Sequence, residues 1–342
     1  MGSLEGAFVA TREHSPIPRL GLVSPKAQDL DAAAIEQGMQ DVAEFLEKCA
    51  LHSEPMRPIV AHILGAPGKR LRAQLCLLFG TIDTSPVRVT PDCVRAAAAV
   101  ELLHEASLVH DDVCDGSELR RDRPSVCAAF DLKQASWSGV FLAATALALT
   151  VDVQRRHQLT LDLSTLRRLS EGQLLEMLGS GDTIDDLKQH YLQVASGKTG
   201  ALFDFACSFG AELSGLGPKD LALVRSFAQN LSIAFQVLDD VRDVEAPADL
   251  GKPWGTDLRL GIPTWPVLEC AALRGVRHLS QIFDPQGDSH ALRRALLESG
   301  ALERARAFAA THLDGARAAL ATLRRYPGAV RIENWLARLE AR

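Results

Sequence analysis

The chain has 342 residues, of which 47% are hydrophobic, 23% charged and 5% aromatic, and its formal net charge is −6. This is enough apolar material for a large core, in one helical domain or two smaller ones, and an acidic balance gives no general attraction for nucleic acid. Seven scattered cysteines without CxxC spacing argue against a disulfide framework and fit reduced thiols in a cytoplasmic protein.

Residues 1–27 are rich in Pro, Gly and Ser and hold no apolar run long enough for a signal peptide, so they are expected to form a flexible N-terminal segment. Residues 28–342 are expected to form a single all-α domain, because helical periodicity dominates and no alternating strand stands out. Helices are predicted over 30–49 and 56–64. Gly65-Ala66-Pro67-Gly68 then breaks the chain, and Lys69, Arg70 and Arg72 open a helix that runs to Phe79. Basic residues at a helix start oppose its dipole, which makes sense if an anion sits there. Lys69 and Arg72, three apart, can converge on one ligand. Solvated surface charges explain the same residues equally well.

Pro91 begins the helix around which the chain is organised. It reads VRAAAAVELLHEASLVHDDVCD from Val94 and is apolar almost all round, as a buried helix is. It runs into Asp111, Asp112 and Asp115, with Asp111 and Asp115 stacked one turn apart. Three carboxylates closing a buried helix repel each other and are costly to desolvate without a cation. Oxygen ligands of this kind suit Mg2+, which binds through a few carboxylates together with substrate phosphates. The stretch LSIAFQVLDDVRD repeats the device with Asp239, Asp240 and Asp243, again in the form DDxxD.

Between the two motifs, Glu118 to Pro124 form a basic loop with Arg120 and Arg121, suited to planar recognition of phosphate or simply a charged surface loop. Helices are predicted over 134–150, 159–178 and 184–213. The most apolar stretch, 140–151, is too short to span a bilayer. Gly197-Lys198-Thr199-Gly200 is locally unfavourable for a helix and is expected to kink it, for a ligand contact or for packing. A Gly- and Pro-rich loop over 249–258 carries Lys252 and could lie over a metal site. From Pro263 on the chain is helical, with amphipathic pieces but no evident chemistry. No GxxxxGK[ST] loop is present, so an ATP-type cradle is absent. His110, beside Asp111, is expected to hydrogen-bond to the acidic cluster. The parts converge on metal-assisted diphosphate chemistry beside an apolar cavity.

Five motifs resemble the trans-isoprenyl diphosphate synthases, or polyprenyl synthetases: GKRLR (Gly68 to Arg72), ELLHEASLVHDDVCDGSELRR (Glu101 to Arg121), GKTGALF (Gly197 to Phe203), AFQVLDDVRD (Ala234 to Asp243) and LGKPWGTDL (Leu250 to Leu258). The resemblance implies an all-α isoprenoid synthase bundle around a central apolar cavity, usually a homodimer. It implies that Lys69, Arg72, His104 and Arg121 bind isopentenyl diphosphate. It makes Asp111, Asp112, Asp115, Asp239, Asp240 and Asp243 ligands of about three Mg2+ ions. Arg120, Lys198, Thr199, Gln236 and Lys252 become contacts to an allylic diphosphate of geranyl, farnesyl or geranylgeranyl length. Product length in the family is set just before the first motif, here by Leu103, Ala106 and Ser107. None of these is aromatic, so a linear all-trans product of geranylgeranyl length or longer is expected, and Ala106→Phe is expected to shorten it. The chain departs from the family pattern at Ile262, where a lysine is usual, and at Ala73, Cys127 and Val140. A terpene cyclase would not need Lys69 and Arg72 and would normally carry Asn and Ser in the second motif. A non-catalytic subunit of a heteromeric synthase would tend to lose the aspartates, and all six are present.

Overall fold

A computed structural model describes residues 27–246 and 263–340, except 52, 66, 67, 180, 182, 279 and 281–288. The predicted N-terminal segment, Lys252 with its loop, and Ile262 lie outside the described residues. The helices are α1 (Ala27–Leu51), α2 (Arg57–Leu64), α3 (Leu71–Phe79), α4 (Pro91–Asp115), α5 (Val126–Ala129), α6 (Leu132–His157) and α7 (Thr165–Leu178). They continue with α8 (Ile184–Ala195), a π-helical turn (Ser196–Gly200), α9 (Ala201–Leu213), α10 (Pro218–Glu245), α11 (Trp265–Leu273), α12 (Ser289–Glu298), α13 (Ala301–Thr322) and α14 (Ala329–Glu340). The charged loop after α4 adds a small feature the sequence did not signal, an antiparallel pair of two-residue strands, β1 (Leu119–Arg120) and β2 (Arg123–Pro124).

Local chemistry explains the helix ends. Thr90 accepts a hydrogen bond from the Cys93 N–H at 3.2 Å, Pro91 fills the first helical position, and Gly116 at φ 64° closes α4. Thr183 and Asp186 form a reciprocal capping box at the start of α8.

Two buried clusters make up the core. One surrounds α10 and the C-terminal helices, and the other surrounds α4 and α6. Helices α3 and α9 serve both: Phe79 and Phe203 face the first cluster, Cys76, Leu77, Phe205 and Phe209 the second. The α3 and α9 backbones meet at glycine, since a methyl on Gly210 would lie 2.2 Å from the Cys76 carbonyl oxygen. The two acidic helices therefore flank one shared wall.

The apolar stretch 140–151 lies inside the 26-residue α6. Both α6 and α10 are long and apolar enough to cross a membrane by length and composition, with 33% and 50% of the relevant window buried inside the fold. The helix runs beyond that stretch on both sides, from Leu132 to His157, which accounts for its extra length. The C-terminal helices also do more than cap the bundle. Arg331 of α14 pairs with Asp31 of α1 at 2.9 Å and donates to the Thr81 and Thr84 carbonyls at 2.6 and 3.0 Å, fastening α1 and α14 to the α3–α4 connection.

Candidate active site

The π-helical turn joins the two acidic motifs. The Lys198 ammonium lies 3.6 Å from Asp111 and 2.6 Å from Glu176 of α7. Its neighbour Thr199 donates to the Gln236 side-chain oxygen at 2.9 Å, and the Gln236 amide donates to Asp240 at 3.1 Å. The wider turn puts successive side chains toward α4 and α10, which a regular helix would rotate by about 100° apart without the extra residue. Its Gly197 has a packing reason: a methyl there would fall 2.8 Å from the Gly172 Cα of α7, and one on Gly172 would fall 2.5 Å from the Lys198 backbone nitrogen. The packing alternative for the predicted kink is thus met in this segment.

The six aspartates are not gathered into one ligand set. Asp112 is buried and grips Arg120, whose Nε donates to it at 3.0 and 3.3 Å. Asp240 is buried and accepts from the Tyr191 phenol at 2.7 Å and from the Trp265 backbone N–H at 3.0 Å, besides Gln236. Asp111 is half-buried, and Asp115, Asp239 and Asp243 are exposed. Among the described residues no three His, Cys, Asp or Glu side chains stand close enough to hold a metal ion. The aspartates within each triplet face different ways: Asp112 turns to Arg120 of β1, and Asp240 turns to Tyr191 of α8 and the Trp265 N–H of α11, because a step of one residue rotates each away from its neighbour.

Oxygen donors of the other four fit a hard divalent cation. Burial pushes the Asp111 carboxyl up to about 6, with Glu176 and Asp115 adding to the effect against the pull of Lys198. Burial also pushes Asp240 up to about 7, despite its three hydrogen bonds. Folded protein therefore holds protons on these acids where the unfolded chain has lost them. The sign follows: without divalent cation, stability should fall as pH rises from about 4 toward 7, by of the order of 2 kcal/mol for Asp111. A melting series in chelator between pH 5 and 8 checks this, and Asp111→Asn should flatten the slope. An equal slope in wild type and variant would refute the assignment.

The basic cluster faces the same region. Arg72 Nη1 donates to His104 Nε2 at 3.2 Å, and the guanidinium stacks over Phe203 at 4.8 Å. Burial pulls Arg72 down to about 10, against Glu101 and Glu105, and burial next to Arg72 holds the His104 ring neutral. The remaining donors, Arg72 Nε and His104 Nδ1, are buried and meet no acceptor among the described residues. Donors of that kind call for an anion. Arg121 pairs with Glu105 at 3.0 Å, and Gly68 lies against its guanidinium, so GKRLR and the basic loop pack against each other. Lys69 and Arg72 are within electrostatic reach of Asp239. Arg70 precedes α3 in a left-handed conformation, so the helix begins at Leu71 and not at Lys69.

Sequence reasoning missed Glu105, Glu176, Tyr191 and Phe203. Glu101 and Glu105 carried the signal that marked the aspartates, an acid inside an apolar helix. Glu101 accepts from the Ala73 N–H at 3.1 Å, a bond that the proline usual in the resembling family could not donate. The His110 ring packs over Gly139 of α6, where a methyl would sit 2.6 Å from Nε2. Leu103 and Ala106 are buried in the α4–α6 core, while Ser107 is half-buried and returns a hydrogen bond to the His104 carbonyl at 2.7 Å.

A family model described as Polyprenyl synthetase matches residues 53–297. The chain is 37% identical over 253 residues to the all-trans-nonaprenyl-diphosphate synthase (geranyl-diphosphate specific) of Rhodobacter capsulatus, covering 72% of this chain and 73% of that one. It is 31% identical over 310 residues to the nonaprenyl diphosphate synthase of Mycobacterium tuberculosis, covering 87% and 90%. Among solved structures, the Caulobacter crescentus polyprenyl synthase complexed with calcium and isoprenyl diphosphate superposes with a TM-score of 0.73 at 30% identity, covering 87% of this chain and 92% of that one. With a joined pair of acidic helix ends, an anion-seeking basic cluster and this degree of likeness, the chain belongs to the polyprenyl synthetase family and is a prenyltransferase, a polyprenyl diphosphate synthase.

Proposed function

We propose that the chain condenses isopentenyl diphosphate with an allylic diphosphate, head to tail, and releases pyrophosphate and a linear all-trans polyprenyl diphosphate of geranylgeranyl length or longer. The observation that carries this reading is the pair Lys198 and Thr199, adjacent residues that reach Asp111 and, through Gln236, Asp240. Such a bridge fits one allylic diphosphate held between two acidic helix ends. The second, separate anion site at Arg72, His104 and Arg121 fits isopentenyl diphosphate, and a cyclase acting on one substrate has no use for it.

Each residue has a definite task in this scheme. Asp111, Asp115, Asp239 and Asp243 offer the oxygen ligands, and Asp112 and Asp240 hold Arg120 and the neighbouring helices in register. These carboxylates would hold Mg2+, which the family uses for diphosphate binding and of which we assign about three ions, and when bound it would supply charge neutralisation at the leaving group. Lys198 stays protonated: burial lowers its pKa, but Asp111 and Glu176 outweigh it. It donates to the departing diphosphate as the allylic C–O bond breaks. Arg72 and His104 orient the isopentenyl double bond toward the allylic carbon. The apolar α4 flank excludes water from the carbocation, and the proton lost from the new chain passes to the released pyrophosphate. Lys252 completes the allylic site in this reading.

Incorporation of labelled isopentenyl diphosphate onto geranyl, farnesyl and geranylgeranyl diphosphates tests the proposal, and no incorporation with any primer would overturn it. Product length is tested at Ser107, which stands one turn below Asp111 and is half-buried, so it can accept a ring. Ser107→Phe should shorten the chromatographed product by one or more isoprene steps. Ala106 is 3% exposed, so Phe there should shorten the product with an added overpacking cost of about 1–3 kcal/mol. An unchanged product from both variants would place the floor elsewhere. A homodimer is part of the proposal: Trp137 and Val140 on α6 are 70% and 47% exposed, an apolar row that a second copy would cover. Light scattering should give twice 37.0 kDa, and a monomer mass would refute it. Seven free thiols support a reducing, cytoplasmic setting.

A further inference from the structure

Asp240 is the most heavily committed acid of the second motif. It is 6% exposed and accepts hydrogen bonds from three directions. The Tyr191 phenol of α8 reaches it at 2.7 Å, the Trp265 N–H at the start of α11 at 3.0 Å, and Gln236 of its own helix at 3.1 Å. Tyr191 is the one of these three whose donor is a side chain from another helix. Its ring is held in place: it lies 5.3 Å from the Trp265 ring, which stacks on Phe308 at 4.1 Å and 21°. The position of the phenol oxygen is therefore held by packing of the ring as well as by its bond to Asp240. Gln236 carries the connection onward to Thr199, next to Lys198 and Asp111.

We propose that Tyr191 is a positioning residue of the diphosphate site, setting through Asp240 both the facing of Asp239 and Asp243 and the placement of Thr199. This rests on the diphosphate reading above and adds to it a residue outside both acidic motifs. A phenylalanine ring keeps the aromatic packing but leaves Asp240 Oδ2 with the Trp265 N–H alone. A buried carboxylate short of a donor turns to find another, and Gln236 and Thr199 turn with it.

Calorimetric titration of Tyr191→Phe with inorganic pyrophosphate in Mg2+ should show affinity lowered roughly tenfold, the scale of one hydrogen bond to a charged group. The KM for farnesyl diphosphate should rise by a similar factor while that for isopentenyl diphosphate stays within about twofold, since Arg72 pairs with His104 and Arg121 with Glu105. In an Asp240→Asn background the same substitution should cause no further loss of pyrophosphate affinity. Tyr191→His, which can restore a donor, should recover part of the loss and supplies a second variant should the phenylalanine chain fold poorly. Pyrophosphate binding is read without turnover, so it reports on Tyr191 independently of whether prenyl transfer is the reaction. Unchanged pyrophosphate affinity, an equal rise in both KM values, or additive losses with Asp240→Asn would each overturn the proposal.

Discussion

Asp111→Ala should abolish prenyl transfer, with kcat/KM falling roughly a thousandfold or more, while the melting temperature holds or rises. The two halves of this expectation have one cause. Asp111 is an acid that burial, Glu176 and Asp115 make costly to ionise, with its carboxyl raised to about 6. At neutral pH the folded chain therefore carries a charge it would be more stable without. Removing it relieves that cost and leaves Lys198 paired with Glu176 at 2.6 Å. Strain kept at a site and released by losing function is what a site built for a cation and a diphosphate predicts. Labelled substrate incorporation and a thermal melt of the same preparation check it. Turnover within tenfold of wild type would remove Asp111 from the machinery, and a large drop in melting temperature would show it to be structural.

Gly172→Ala should lower kcat by about a hundredfold though residue 172 touches no proposed ligand position, because misplacing a site by an ångström costs on that order. The added methyl would meet the Lys198 nitrogen at 2.5 Å and the Gly197 carbonyl carbon at 2.6 Å, both backbone atoms that cannot swing away. The π-helical turn must shift, and Lys198 and Thr199 move with it. Overpacking should also cost about 1–3 kcal/mol of stability. Gly217→Ala is the control, since a methyl there meets nothing within 4 Å. Wild-type turnover in Gly172→Ala would show that the placement of the turn does not matter to the reaction.

The fold class, the central helix and both acidic motifs were legible in the chain because each is a local pattern. An apolar helix that ends in carboxylates shows its burial and its chemistry within about 20 residues. The helix start was legible for the same reason at Pro91, while the Thr90 cap came from the structure. Lys69, Arg72 and His104 were found as types, and Arg72 and His104 prove to be direct partners 3.2 Å apart. What periodicity could not supply is direction. Asp111 and Asp112 are neighbours of identical chemistry, and only the packed bundle turns one toward Lys198 and the other into Arg120. Tyr191 and Glu176 read in sequence as ordinary helix residues, because their partners lie 49 and 22 positions away in the chain. Spacing along one helix determines which side chains share a face. Which of those faces meet is decided by how α3 and α9 set the two acidic helices against each other, and that follows from long-range packing at Gly80 and Gly210, where absent side chains let backbones touch.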